Sequence, residues 1–136
     1  MLQYMLDTNI CIYVIKNYPS GLRARFNTLA EQLCISSITL AELYYGAEKS
    51  ARPLDNLQTV ERFCARLEVL AFSVRAAAHF GQIRADLERA GTPVGPLDMQ
   101  IGAHARAEGL TVVTNNTREF KRLPGVLVQD WVADKE

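Results

Sequence analysis

Acidic and amide side chains recur at one kind of place in this chain: where an apolar run gives way to a polar turn or to the start of a helical pattern. Asp7 lies in Met5-Leu6-Asp7-Thr8-Asn9, Glu42 in Leu40-Ala41-Glu42-Leu43, and Asp98 in Pro96-Leu97-Asp98-Met99-Gln100-Ile101. Asn116 closes Val112-Val113-Thr114-Asn115-Asn116, and Glu119 follows three residues later. Carboxylates collected at one spot repel one another unless a cation joins them. An all-oxygen cluster suits Mg²⁺ or Mn²⁺ rather than zinc. The pattern points to metal-dependent phosphate chemistry, in which the ion polarises the phosphate, activates water and neutralises the leaving oxygen.

Each of these residues has a simpler explanation taken alone. Asp7 can cap the helix that follows. Glu42 stands three residues after Thr39, the spacing of a capping box. Asp98, in the first turn of a helix opened by Pro96, gains about 0.3–1 kcal/mol from the helix dipole. Asn116 and Glu119 fit ordinary turn chemistry. These explanations must hold independently at four element ends, whereas one shared site accounts for all of them.

The elements that must position these groups alternate. Leu2–Leu6 reads as a short buried strand, and Ile10–Lys16 as a helix capped by Thr8 or Asn9. Asn17-Tyr18-Pro19-Ser20-Gly21 breaks the pattern, and Leu22–Ala30 resumes it as a helix. Leu33–Ile38 predicts a second strand, Thr39 to about Ser50 a helix, and Leu54–Arg66 a further helix started by Pro53. Leu67–Phe72 predicts a third strand. Ser73 should cap a helix over Val74–Ala90, with Gly91 as its stop. Pro96 should open a helix ending near Gly109. Leu110–Thr114 is a fourth strand, Asn115–Arg122 a turn and short helix, and Val126–Val128 a small fifth strand. Strands alternating with helices imply a central parallel sheet of four to five strands, with helices on both faces. In such a sheet the carboxyl ends of the strands share one edge, where ligands bind.

Composition narrows the class. The chain has 136 residues, enough for one domain spanning 1–136, and 49% are hydrophobic, enough for a core. No apolar run approaches the roughly 20 residues that span a bilayer. The N-terminus lacks a basic region followed by an apolar stretch, so a cytoplasmic location is expected. Cys11, Cys34 and Cys64 sit in apolar runs without a Cys-x-x-Cys pair and read as buried free thiols. The 15 basic and 15 acidic residues cancel. That argues against a strongly basic coat for nucleic acid, but not against a nuclease whose acidic site is offset elsewhere.

These motifs resemble those of the PIN-domain family, and within it the VapC-type toxin ribonucleases of bacterial toxin–antitoxin pairs. Met5–Asn9 matches the first family motif and Ile35–Ala47 the second. Ile83–Ile101 matches the third and Val112–Phe120 the fourth, so the likeness runs in order over nearly the whole chain. The resemblance implies a PIN-like three-layer sandwich and a Mg²⁺-dependent endoribonuclease, with Mn²⁺ as an alternative ion. It implies that Asp7, Glu42 and Asp98 hold the metal, supported by Thr8, Asn9 and Thr114. Many family members carry aspartate where this chain has Asn116, a neutral and weaker ligand; Glu119 would then supply the missing charge. Structured RNA such as a transfer RNA anticodon stem-loop is the implied substrate. A cognate VapB-like antitoxin, a homodimer and a higher toxin–antitoxin assembly are the implied partners. A receiver-like signalling domain and a non-catalytic PIN-like binding module are the alternatives. The first wants adjacent acids after strand one and a lysine after the last strand, and the chain offers neither.

Other residues are less specific. Arg23, Arg25, Arg84, Arg118 and Lys121, with Lys16 and Arg122, are candidates for phosphate contact, against a default of solvated helix faces. His79 and His104 lie among alanines and read as core or interface residues. Tyr44, Tyr45 and Trp131 are capable of stacking on bases, but packing is the expected use.

Overall fold

A computed structural model describes residues 1–132. The elements follow the order β1 (Tyr4–Leu6), α1 (Thr8–Lys16), α2 (Leu22–Leu29), a 3₁₀ turn (Ala30–Gln32), β2 (Leu33–Ser36), α3 (Ser37–Glu48) and α4 (Pro53–Cys64). Then come β3 (Glu68–Leu70), α5 (Val74–Ala90), α6 (Pro96–Glu108), β4 (Thr111–Val113), α7 (Thr117–Phe120) and β5 (Leu127–Gln129).

The strands pair in the order β3-β2-β1-β4-β5, and every pairing is parallel. Met5, Leu6, Cys34, Ile35, Val112 and Val113 are all fully buried, as strands covered on both faces must be. Their side chains alternate. Leu6, Ile35 and Val113 meet apolar residues of α1 to α4 on one face. Met5, Cys34 and Val112 meet those of α5 to α7 on the other. The chain winds outward from β1 through β2 to β3, then returns to the opposite side of β1 with β4. That reversal makes β1 and β4 the switch point of the sheet, with a crevice beyond their carboxyl ends.

The ends of elements differ from expectation in instructive ways. Neither Thr8 nor Asn9 caps α1. Asp7 does, from extended backbone, with its carboxylate accepting from Ile10 N at 2.9 Å. The second strand stops at Ser36 rather than Ile38. Ser36 Oγ accepts from Ile38 N at 3.1 Å, which starts α3 early. Thr39 therefore lies inside α3 and is buried, and Glu42 stands nearly two turns into the helix, beyond any capping box. The cap at Ser73 and the stops at Gly91 and Gly109 fall where the sequence places them, both glycines with positive φ. Cys11 and Cys34 are buried, but Cys64 is only half-buried; all three are free thiols. Trp131 is buried against Tyr4, whereas Tyr44 and Tyr45 are exposed rather than packed. Among the described residues no helix is long and apolar enough to cross a membrane.

Candidate active site

Three elements deliver carboxylates to the switch-point crevice. Asp7 leaves the end of β1, Glu42 projects from α3, and Asp98 sits in the first turn of α6. The loop after β4 adds Thr114 and Asn116. Backbone pairing fixes this register, since Asp7 N donates to Val113 O at 3.0 Å.

Each carboxylate is held by a neutral donor. The Thr114 hydroxyl donates to Asp7 Oδ2 in a short hydrogen bond, and Asn116 N donates to Thr114 Oγ1 at 2.8 Å. Asn116 Nδ2 donates to Asp98 Oδ2 at 3.1 Å. Thr8 Oγ1 donates to Glu42 Oε1 at 2.5 Å and lies 3.4 Å from Thr39 Oγ1. Among the described residues, none of Asp7, Glu42 and Asp98 has a cationic side chain as partner. Their charges are felt. Burial lifts Asp7 from 3.8 to about 6 against the pull of its own hydrogen bonds, and Asp98 and Glu42 push it further. Asp98 is also raised, first by burial and then by Glu119 and Glu42, while Asn116 lowers it.

Glu119 lies between the centre and a cation. Its Oε2 is 3.2 Å from Arg122 Nη1, and its Oε1 accepts from Gly95 N at 3.5 Å. Asn9 is exposed on the first turn of α1. The basic candidates separate clearly. Arg23 donates to the carbonyls of Val14 and Ile15 and so closes the end of α1. Arg25 stacks over Trp131 at 4.6 Å, and Arg84 pairs with Glu88. Arg118 and Lys121, on and just after α7, are exposed. His79 accepts from Arg106 Nε at 2.8 Å, and His104 is buried in the core.

The donor set is oxygen throughout, and its uncompensated charge is what a divalent cation would relieve. Among the described residues no three acidic, histidine or cysteine side chains close into a ready-made metal cage. Mg²⁺ needs none, because it keeps several waters and takes one or two carboxylates. The residues present therefore fit the ion.

Comparison with known proteins follows this geometry. The PIN domain matches residues 4–126. The chain belongs to the PIN-domain family. This PIN domain is 60% identical over 131 residues to the tRNA(fMet)-specific endonuclease VapC of Salmonella typhimurium, covering 96% of this chain and 99% of that protein. It is 52% identical over 132 residues to Ribonuclease VapC2 of Haemophilus influenzae, covering 97% of this chain and 100% of the relative. Its fold superposes on the DNA-bound VapBC structure from Salmonella typhimurium with a TM-score of 0.93 at 60% identity, covering 96% of this chain and 99% of that one. Against VapBC2 from Rickettsia felis, bound to a promoter DNA fragment, the TM-score is 0.89 at 41% identity, covering 96% of this chain and 99% of that one.

In the sequence Thr39 reads only as a capping residue, and no role is evident for the buried Ser36 hydroxyl or for the Tyr13 hydroxyl, which accepts from Asn115 Nδ2 at 3.0 Å. The run Ser36-Ser37-Ile38-Thr39 at a strand-to-helix junction was the available signal.

Proposed function

We propose that this PIN domain, a single unit over 1–136, is a Mg²⁺-dependent endoribonuclease and the toxin of a toxin–antitoxin pair. The observation that carries the reading is the meeting of Asp7, Glu42 and Asp98 at the switch point, with no basic side chain paired to them among the described residues. Asp7, Glu42 and Asp98 would hold the ion, with Mn²⁺ as a substitute. When bound, the ion supplies charge stabilisation at the scissile phosphate and a stronger nucleophile from water. The chain's own groups prepare the site. Thr114 and Ile10 N fix Asp7, Asn116 orients Asp98, and Thr8 holds Glu42. Glu119 adds charge beside Asp98, muted by Arg122. Arg118 and Lys121, exposed beside the crevice on the α7 side, meet the RNA backbone.

The substrate we assign is transfer RNA, and specifically the initiator, because the relative at 60% identity is named a tRNA(fMet)-specific endonuclease. The partner is a VapB-like antitoxin, in keeping with the VapBC complexes that share this fold. A groove of about 350 Å³ whose walls include Ile12, Ile15, Leu43 and Val60 also contains Lys16 and Glu42. An amphipathic antitoxin helix would seat there and bring a basic residue to the acids. The working state is a cytoplasmic homodimer, or a larger assembly with antitoxin. Family membership leaves no ground for a receiver-like domain.

The test is direct. Purified protein is incubated with total RNA and with initiator tRNA, with Mg²⁺ and with chelator, beside Asp7→Ala. The expected result is tRNA cleavage by wild type with Mg²⁺ alone. Expression of wild type from an inducible promoter should arrest growth, and Asp7→Ala should not. Equal toxicity of the two proteins at matched levels defeats the toxin reading.

A further inference from the structure

His104 is fully buried on α6, among Ala103, Ala105 and Ala107. Its Nδ1 lies 2.8 Å from Ser36 Oγ, and the edge of its ring meets Phe72 at a centroid distance of 5.4 Å. Its Nε2 has no hydrogen-bond partner among the described residues. Alanine contacts are non-directional and tolerate sliding of one element on another. A polar nitrogen left unpaired in the core costs stability, so packing alone would favour an apolar residue here.

The tautomer follows from counting protons. Ser36 Oγ already accepts from Ile38 N at 3.1 Å. If the hydroxyl donates to Nδ1, only the Nε2 proton is unsatisfied. If Nδ1 donates instead, both the hydroxyl proton and Nε2 are orphaned. The first arrangement is cheaper, so His104 accepts at Nδ1 from Ser36.

Ser36 is the last residue of β2 and the cap of α3. Among the described residues this is the only side-chain hydrogen bond joining α6 to β2 or α3. Asp98 precedes His104 on α6, and Glu42 follows Ser36 on α3.

We propose that His104 is a positioning residue for the acidic centre: its bond to Ser36 sets the spacing between α6, which carries Asp98, and α3, which carries Glu42. The inference rests on the reading that these carboxylates share a divalent ion. Mg²⁺ and its substitutes demand near-octahedral geometry, with ligands at about 2.0–2.1 Å for Mg²⁺. A directional bond fixes such a spacing where apolar packing, which has no preferred direction, does not. The bond to Ser36 is then what a histidine provides at a buried position where its other ring nitrogen finds no partner among the described residues.

The experiment measures Mn²⁺ affinity by titration calorimetry on the full chain, together with melting temperature. His104→Phe keeps ring volume and the Phe72 contact but removes the acceptor. His104→Asn restores an acceptor near the Nδ1 position. Ser36→Ala breaks the same bond from the other side and also removes the cap of α3, so the double variant is what isolates the shared bond. Expected are a roughly tenfold loss of Mn²⁺ affinity in His104→Phe, a loss at least as large in Ser36→Ala, a double variant no weaker than Ser36→Ala alone, and substantial recovery in His104→Asn. Loss in melting temperature without loss of Mn²⁺ affinity makes His104 merely structural and overturns the proposal. Should His104→Phe fail to fold, Ser36→Ala against His104→Asn decides on the same terms. Asp98→Asn separates the two levels: if wild type and Asp98→Asn bind Mn²⁺ alike, the shared-ion reading itself fails and the inference falls with it.

Discussion

Asp7 serves two ends that conflict. As the cap of α1 it needs only an oxygen; the proposed role as a metal ligand needs a charge, and that charge is buried. Its folded-state value of about 6 lies above the 3.8 of a free side chain. A raised value means that stability from the protonated form is fully present below about pH 4 and is lost as pH rises through about 6. At neutral pH the metal-free fold thus carries a cost on the order of 3 kcal/mol. Asp7→Asn keeps the oxygen for Ile10 N and removes the charge. It should melt several degrees above wild type at pH 7.5 without metal, with a smaller gain at pH 5, while RNA cleavage falls by several orders of magnitude. Calorimetry at the two pH values checks the first part, and a variant less stable than wild type at pH 7.5 contradicts it. Asn116 offers the complementary change. Asn116→Asp sets a second charge against Asp98, so it should lower metal-free stability and tighten Mn²⁺ binding. Glu119→Gln should weaken Mn²⁺ only slightly, because Arg122 already offsets that charge. Titration of Mn²⁺ into the three proteins ranks them.

At the scale of elements, α6 is placed by close approach as well as by His104. A Cβ added at Gly102 would lie 2.3 Å from Leu123 Cδ1 and 3.6 Å from Val126 Cγ2. Leu123 is itself buried, so it has little room to yield. Gly102→Ala should therefore cost about 1–3 kcal/mol, and adding Leu123→Val should return part of it; denaturant melts of the single and double variants measure both. Helices and their stops were readable from the sequence because the devices are local. Ser73, Gly91, Pro96 and Gly109 act through their own backbone and neighbours. Strand ends were less readable. Apolar residues continue past Ser36 into α3, so hydrophobicity alone could not show where β2 stops. Asp7 and Asp98 were visible because each sits at an element end, whereas Glu42 lies nearly two turns inside α3, since that helix starts earlier than its capping-box spacing with Thr39 suggests. The pairing of Asn116 with Asp98 and of His104 with Ser36 was not visible, since partners 18 and 68 residues apart meet only through the winding of the sheet. The basic residues were misleading for a related reason. Arg23 serves the end of a helix that folds back beside it, and sequence gives no sign of that use.

For the whole molecule, zero net charge hides a local excess. An ion that binds the folded centre and not the unfolded chain must stabilise the fold. At one hundred times its dissociation constant, Mg²⁺ should add about 2.7 kcal/mol. The melting temperature of wild type should climb with Mg²⁺, and Asp98→Asn should climb less; equal shifts in the two proteins would count against a shared site. The strand order carries a consequence for how the cell makes this protein. β1 emerges first from the ribosome but finds its second neighbour, β4, only after more than a hundred further residues. A nascent chain that ends before β4 holds Asp7, Glu42 and Asp98 but has neither Thr114 to orient Asp7 nor Asn116 to orient Asp98. Until β4 pairs with β1, the bonds that orient Asp7 and Asp98 are missing. By placing the closing strand late, the topology acts as a timer, postponing completion of the acidic centre until the fourth strand has been made.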